Sequence, residues 1–162
     1  MTPEPLTFAS SGEAFELRRG EEILGRVISG DDGGARAESG TASWRFTVEG
    51  DRNALAATWQ LVARDEAGEE AACYFHGSMR GGRVRFGDRM ASLRRELGLG
   101  TEWRLRVRPD AALTLRPVPR PEGMQLDLAF VFGSAELPEL LLLLVCWSIV
   151  TEEATGPARL GG

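Results

Sequence analysis

The feature that most constrains the fold is an unbroken apolar run near the C-terminus. Leu140 to Val150 reads Leu-Leu-Leu-Leu-Leu-Val-Cys-Trp-Ser-Ile-Val. Leucine favours helix, and Pro138 and Glu139, just ahead of the run, suit the first turn of a helix. The sequence therefore predicts a helix over about residues 138–151. Because this helix has no polar face, it must be surrounded and cannot lie on the surface of a soluble domain.

The surroundings of such a helix are either lipid or protein. A spanning helix needs roughly 20 apolar residues, whereas this run has eleven, with Ser148 among them. The sequence therefore predicts no transmembrane span and favours a core helix that is enclosed by sheet. The helix would be about 20 Å long, which is also the length of a strand of about six residues.

Upstream of the helix, apolar and polar residues alternate in short segments that are typical of strands. The alternating segments are 15–18, 23–28, 44–48, 57–64, 71–76, 83–86, 103–107, 113–115 and 124–132. Segment 91–97 is ambiguous, because its leucines stand at helical spacing. Residues 29–40 are expected to form a flexible acidic loop, and the prolines of segment 117–121 are expected to interrupt strand pairing.

Nine or ten strands followed by one helix predict a mainly β fold, an antiparallel β-barrel closed around the hydrophobic C-terminal helix. A length of 162 residues suits a single domain with a sizeable core. Residues 1–12 are interpreted as a loose N-terminal lead-in, residues 13–154 as the barrel domain, and residues 155–162 as a flexible tail.

This plan of short strands followed by a hydrophobic helix resembles the tubby-like superfamily, which includes the tubby C-terminal domain, the plant LURP-one-related proteins and the phospholipid scramblases. The resemblance rests on the hairpin from Phe15 to Ile28 and on the helix that follows the Leu126–Phe130 strand. It implies a twelve-strand barrel around the helix, and association with lipid or membrane. It transfers no binding residues, because the chain has no lysine to match the family's phosphoinositide-binding lysine pair.

Charge is distributed unevenly along the chain. Residues 1–75 hold seven Arg against fourteen Asp and Glu, residues 76–120 hold eleven Arg against four acidic residues, and residues 121–162 hold one Arg against six. All nineteen basic residues are arginine, a bias typical of a GC-rich, bacterial-like composition, which weakens any argument that rests on arginine having been preferred to lysine. The middle third is a basic region inside a chain of net charge −5.

Arginines of this basic region alternate with apolar residues, so their side chains are expected to lie on one face of each strand. Arg104, Arg106 and Arg108 alternate with apolar residues, as do Arg83 and Arg85. If the two strands are neighbours, these side chains form one patch that binds an anionic phospholipid, another anionic ligand or an acidic protein partner. In the alternative interpretation, they form ion pairs across strands with acidic residues. The acidic candidates are Glu16, Glu49 and Asp127.

Catalytic and metal sites have weak sequence signals. His76 is the single histidine, and Cys73, three residues earlier on the same strand, must point to the opposite face. One histidine and two distant cysteines, Cys73 and Cys146, predict no metal site and two buried free thiols. The sequence predicts no cofactor. Nucleic acid is disfavoured as a partner, because the net charge is negative and no aromatic residue alternates with the outward arginines.

The leading functional prediction is a non-enzymatic binding or scaffold module of the tubby-like type, which binds anionic lipid or another anionic ligand through the arginine face. The alternatives are a soluble protein–protein interaction module and a small enzyme that uses His76. The start of the chain lacks the basic and apolar segments of a signal peptide, so the expected location is the cytoplasm, including a peripheral position at the membrane. The oligomeric state stays open.

Overall fold

The computed structural model shows twelve antiparallel strands that close into one barrel, followed by a single helix. It describes residues 5–30, 34–50, 59–78, 81–97, 101–107, 111–121, 123–132 and 137–155. The elements are β1 (Leu6–Ser11), β2 (Ala14–Arg19), β3 (Glu22–Ser29), β4 (Ala35–Ser39), β5 (Ala42–Gly50), β6 (Trp59–Arg64), β7 (Glu70–Ser78), β8 (Gly81–Phe86), β9 (Arg89–Leu97), β10 (Thr101–Val107), β11 (Ala111–Arg120), β12 (Gly123–Phe132) and α1 (Glu139–Thr155).

Strands that are consecutive in the sequence are neighbours in the sheet, and β1 pairs with β12 to close the barrel. This meander agrees with the short hairpin spacings of the sequence and confirms the predicted fold class. Closure gives every strand a neighbour on both sides, so the backbone donors and acceptors of each paired segment meet a partner. The twelve strands also match the number that the tubby-like resemblance implies.

The helix α1 forms the centre of the core, as its composition predicts. Residues 141–150 are all buried, and the helix contacts β3, β4, β6, β7, β8 and β12. It lies close to β3, where a Cβ added at Gly25 would stand only 3.0 Å from Leu143 Cδ1. The one buried polar side chain in this segment, Ser148, donates its hydroxyl hydrogen to the Leu144 carbonyl oxygen at 2.8 Å. No helix among the described residues is long and apolar enough to cross a bilayer.

Two sequence predictions about the N-terminal half are wrong. Residues 6–11 are the strand β1 that closes the barrel, so the loose lead-in over 1–12 does not hold for them. Within the expected loop over 29–40, residues 35–39 form the strand β4, which pairs on both sides. The interior side chains of β4 are alanines, which produce a weak hydrophobic signal in the sequence even where they are fully buried.

The prolines of β11 do not interrupt its pairing with β12, although the sequence suggested an interruption. Pro117 lies opposite Leu126 and Pro119 lies opposite Met124 on β12. On its other side, β11 pairs with β10 only as far as Leu115. Because alternate residues direct their N–H groups to the same edge of a strand, both prolines can face the edge that β10 leaves unpaired, where no donor is required.

The ambiguous segment 91–97 is also a strand, β9, paired with β8 and β10. Its alternation is hidden because Arg95 occupies an inward position in register with Trp103 of β10. The helix α1 itself is longer than predicted, since it begins at Glu139 and ends at Thr155. Residues 156–162, the rest of the expected tail, lie outside the described residues.

We call the end of the barrel where α1 begins the upper end, and the end where α1 finishes the lower end. The upper end carries the β2–β3, β4–β5, β6–β7 and β8–β9 turns, and the last residues of β12. The lower end carries the last residues of β7 and β9 and the first residues of β10.

Candidate anion-binding face

The predicted arginines of β8 and β10 lie on one outer face of the barrel. β9 stands between their strands, so the two strands are not direct neighbours. Ser92 of β9 is in register with Arg83 on one side and with Arg106 on the other. Arg104 lies one outward position below Arg106 along β10. The structure thus brings Arg83, Arg104 and Arg106 together, while Arg108 lies outside the described residues.

Arg94 of β9 is a member of this face that the sequence analysis missed. It is directly opposite Arg104 and is exposed. Like charges directly opposite on neighbouring strands destabilise a sheet. The signal that could have identified Arg94 is the spacing Ser92, Arg94, Glu96, which becomes a polar outer face once β9 is recognised as a strand.

These side chains line a groove of about 260 Å³ between β9 and β10, which we call the arginine groove. Its lining residues are Ser92, Arg94, Glu96, Arg104 and Arg106. Arg104 Nη1 is 3.9 Å from Glu96 Oε1, and Arg104 Nε is buried without a hydrogen-bond acceptor. Within the described part of the chain, no carboxylate is in ion-pair distance of Arg94 or Arg106. The groove therefore holds three guanidinium groups and one carboxylate.

Arg85 differs from the arginines of the groove in its contacts. Its Nη2 is 2.6 Å from Glu70 Oε2, and its guanidinium lies over the Phe75 ring at 5.0 Å from the centroid. The hydrogen bond from the Arg85 guanidinium to Glu70 raises the pKa of Arg85. Arg85 therefore fits the ion-pair interpretation, and its guanidinium is already occupied by Glu70.

The acidic partners that the sequence suggested for the patch are engaged elsewhere. Glu49 accepts a hydrogen bond from Arg64 at 3.0 Å, and Asp127 accepts one from Gln125 at 2.7 Å. Glu16 accepts from Arg18 at 2.6 Å and lies 3.4 Å from Arg26. None of these three carboxylates pairs with an arginine of the groove, which therefore stays largely unneutralised.

The pairing of Glu16 predicts a measurable dependence of stability on pH. The hydrogen bond from Arg18 is the main cause that holds the pKa of Glu16 below its ordinary value of 4.5. A carboxyl with a lowered folded-state pKa stabilises the fold above its unfolded-state pKa, and this contribution is lost as the pH falls through the folded-state value. We therefore expect Glu16→Gln to lower the free energy of unfolding near neutral pH.

Urea denaturation of the wild type and of Glu16→Gln at a series of pH values checks this expectation. The difference between the two proteins should shrink as the pH falls from just above 4.5 towards and below the lowered pKa of Glu16. Glu38→Gln, which removes a carboxylate of a more exposed pair with Arg36, serves as the control. A difference for Glu16→Gln that stays constant across this range would contradict the assignment.

A second polar cluster closes the lower end of the barrel. Glu153 of α1 accepts hydrogen bonds from Arg95 Nε at 3.1 Å and from Trp103 Nε1 at 2.8 Å. Both donors point inward from neighbouring strands, at residues that are directly opposite each other. The Glu153 side chain is only 10% exposed, so this contact fixes the end of the helix inside the barrel wall.

His76 belongs to the same end of the barrel. Its ring stacks on Trp59 with centroids 4.8 Å apart, and its Nδ1 is 3.3 Å from the Tyr74 hydroxyl and 3.7 Å from Glu152 Oε1. A hollow of about 390 Å³ lies beside the ring. The histidine therefore joins β7 to the last turn of α1, and this contact is sufficient to explain its position.

The two cysteines are buried free thiols, as predicted. Cys73 is in register with outward-facing Arg85, so it stands on the opposite face of β7 from His76 and cannot pair with it. Burial raises the pKa of Cys73 to about 11 and also raises that of Cys146. Thiols with raised pKa values are poor nucleophiles at neutral pH. Among the described residues, no group of three or more His, Cys, Asp or Glu side chains could hold a metal ion.

Comparison of the chain with protein-family models, with curated proteins and with solved structures finds no match. Similarity to another protein therefore adds nothing to the geometry of the site. The strand number and the central helix agree with the tubby-like plan, while membership of that superfamily stays a prediction.

Proposed function

We propose that the chain is a non-enzymatic binding module whose arginine groove binds an oxyanion, and that the head group of an anionic phospholipid is its ligand. The observation that carries this proposal is the directly opposed pair Arg94 and Arg104, which line one groove where no carboxylate of the described residues is in ion-pair distance of Arg94. An oxyanion between the two guanidinium groups would relieve the repulsion between like charges.

The chemistry of arginine favours phosphate as the group that is bound. A guanidinium presents its N–H donors in a planar fork, which matches two oxygens of a phosphate or carboxylate. Arg106, in the next outward position of β10, adds a third fork at the same groove. Glu96 at the lower end of the groove would repel a second anion and accept a hydrogen bond from a hydroxyl or amino group of the same ligand.

We further propose that the barrel is a tubby-like domain. Twelve antiparallel strands around a buried C-terminal helix support this proposal, because they are the plan that the superfamily shares. A tubby-like domain without lysine would need another basic residue type for lipid phosphates, and the arginine groove offers three. The protein–protein module and the small enzyme that uses His76 stay as alternative predictions.

Removal of the opposed arginines is expected to weaken anion binding strongly. The double variant Arg94→Ala, Arg104→Ala should bind inorganic pyrophosphate more weakly by more than about tenfold, because at least two charge-assisted hydrogen bonds are lost. Titration calorimetry with pyrophosphate gives the affinity. Flotation with phosphatidylcholine vesicles, with and without phosphatidylserine and at low and high salt, shows whether lipid phosphates are bound.

The double variant Arg36→Ala, Arg45→Ala is the matched control. These two arginines are also directly opposite each other, on β4 and β5, so the same charge is removed from another face of the barrel. The control should keep the wild-type affinity for pyrophosphate. Equal losses in both variants would show that net charge and not the groove attracts the anion. A wild-type protein that binds neither pyrophosphate nor phosphatidylserine vesicles would refute the proposed function.

A further inference from the structure

Exposed large apolar side chains are concentrated at the upper end of the barrel. They are Ile23, Met90, Val131 and Phe132, with exposures of 43%, 48%, 58% and 48%. Ile23 and Met90 each follow the first residue of their strand, and Val131 and Phe132 are the last two residues of β12. Ile23 of β3 is half the circumference away from Met90 of β9, whereas Met90, Val131 and Phe132 share the sector from β9 to β12. Exposed apolar groups that gather in one region mark an interaction surface more often than scattered ones do.

Val131 and Phe132 are both exposed because the pairing of β11 with β12 is irregular there. Phe130 is in register with Leu113, but Phe132 is in register with Ala112, so Val131 is an extra residue in β12. A bulge of this kind re-aims side chains that would otherwise alternate between the two faces of the sheet. The local geometry therefore presents two large apolar side chains in succession to the outside.

This apolar pair borders the arginine groove. Ala112, which is opposite Phe132, is also opposite Arg106 on its other side. Arg106 and Phe132 thus stand in one cross-strand row, two strands or about 10 Å apart. Met90 precedes Ser92 of the groove by two residues on β9. We call Met90, Val131 and Phe132 the apolar rim, which lies above the groove on the sector from β9 to β12.

Another sector of the upper end is acidic. The β6–β7 turn carries Asp65, Glu66 and Glu69; β6 is six strands away from β12, and β7 is two strands away from β9. An anionic surface that approaches the upper end would be repelled by this turn, and by Glu21, Glu22 and Asp88 at the β2–β3 and β8–β9 turns, and attracted by the arginine groove. Such a surface would therefore meet the barrel obliquely, through the face that carries the arginine groove and the apolar rim.

We propose that the apolar rim inserts into the interfacial layer of an anionic bilayer while the arginine groove holds lipid phosphates. The inference rests on the proposed function, and it adds the side chains that enter the membrane and the orientation of the barrel. Apolar side chains next to basic ones are the combination that binds a bilayer surface, since the former enter the head-group and acyl boundary and the latter meet anionic lipid.

A second copy of the chain fits the apolar rim less well than a bilayer does. Two rims that meet about a two-fold axis would also bring the two arginine grooves towards each other, because each groove borders its rim. Like charges in such a contact disfavour the pairing. An anionic bilayer meets the same grooves with the opposite charge.

Site-specific labelling tests the orientation. Cys73 and Cys146 are completely buried, so a polarity-sensitive dye would react with one introduced cysteine. A dye on Val131→Cys should shift to shorter wavelength and brighten when phosphatidylserine vesicles are added. A dye on Ala67→Cys, which is exposed at the same end in the acidic turn, should not change. An equal or larger response at position 67, or no response at position 131 when vesicles are bound, would overturn the proposal.

A second variant separates this inference from the proposed function. Val131→Ser with Phe132→Ser should weaken vesicle binding by about tenfold or more, because apolar area no longer leaves water on binding, and should leave pyrophosphate affinity unchanged. The double variant Arg94→Ala, Arg104→Ala should lose both. Full vesicle binding by the serine variant would refute insertion of the apolar rim, but it would not refute anion binding by the arginine groove. Retention of both activities by the alanine variant would refute the groove itself.

Discussion

Replacement of Leu142 or Leu144 by glutamate is expected to abolish folding. These side chains are 3% and 0% exposed at the centre of α1, with barrel strands on all sides. Transfer of a carboxylate into apolar surroundings costs several kcal/mol or more, whether the group stays charged or takes up a proton. The total stability of a domain is about 5–15 kcal/mol. The barrel cannot close without the helix, because its interior would then be empty.

The measurement is the yield of soluble protein, followed by circular dichroism and urea denaturation. Ile23→Glu is the matched control, because it makes the same chemical change at a position on β3 that is 43% exposed. The control should fold and unfold cooperatively, like the wild type. If Leu142→Glu and Leu144→Glu also did so, α1 would have to be peripheral and the closed barrel would be the wrong architecture.

The central helix and the barrel are predictable from the sequence because both follow from burial. A run that is apolar on every side has one place in a soluble domain, and strands of matching length have to surround it. Outward and inward alternation is visible wherever the inward residues are large, as in β5 and β10. The number of strands is underestimated where the inward residues are small or polar, as the alanines of β4 and Arg95 of β9 show.

Which arginines share the outer face depends on the register in which the strands pair, and local sequence does not determine this register. Alternation correctly directed Arg104 and Arg106 outward, but pairing decided which arginines have acidic neighbours. Arg85 is bound by Glu70 across the β7–β8 pair, while Arg94 lies opposite another arginine. The net charge of each third of the chain therefore indicates a basic face, but it does not distinguish the arginines that form ion pairs from those that do not. The bulge that exposes Val131 is likewise a property of pairing.

Arg95 obscures the strand pattern of β9 in the sequence, and it also stabilises the lower end of the barrel. An arginine at an inward position looks like a break in the strand pattern, yet it is the partner of the helix. Glu152 and Glu153 lie in the last turn of α1, which has no basic residue and where the helix dipole disfavours negative charge. Arg95 and Trp103 stabilise this position by donating hydrogen bonds to Glu153, and His76 lies 3.7 Å from Glu152.

Glu153→Ala is therefore expected to lower the free energy of unfolding by about 3 kcal/mol. Loss of one partner from a buried pair costs about 3–5 kcal/mol because the other charge stays unpaired, and Arg95 is 21% exposed, which favours the lower end of that range. Trp103 Nε1 also loses its acceptor. Glu153→Gln should fall between this variant and the wild type, because an amide oxygen can still accept the indole hydrogen bond.

Urea denaturation of both variants checks these values, with Glu49→Ala as the control. Glu49 pairs with Arg64 at 3.0 Å, but the two side chains are 49% and 38% exposed, so its loss should cost no more than about 1 kcal/mol. Equal losses for Glu153→Ala and Glu49→Ala would mean that the lower-end cluster is solvated like a surface ion pair. A large loss for Glu153→Ala alone would show that an inward arginine, invisible as part of a strand in the sequence, fixes the helix in the barrel.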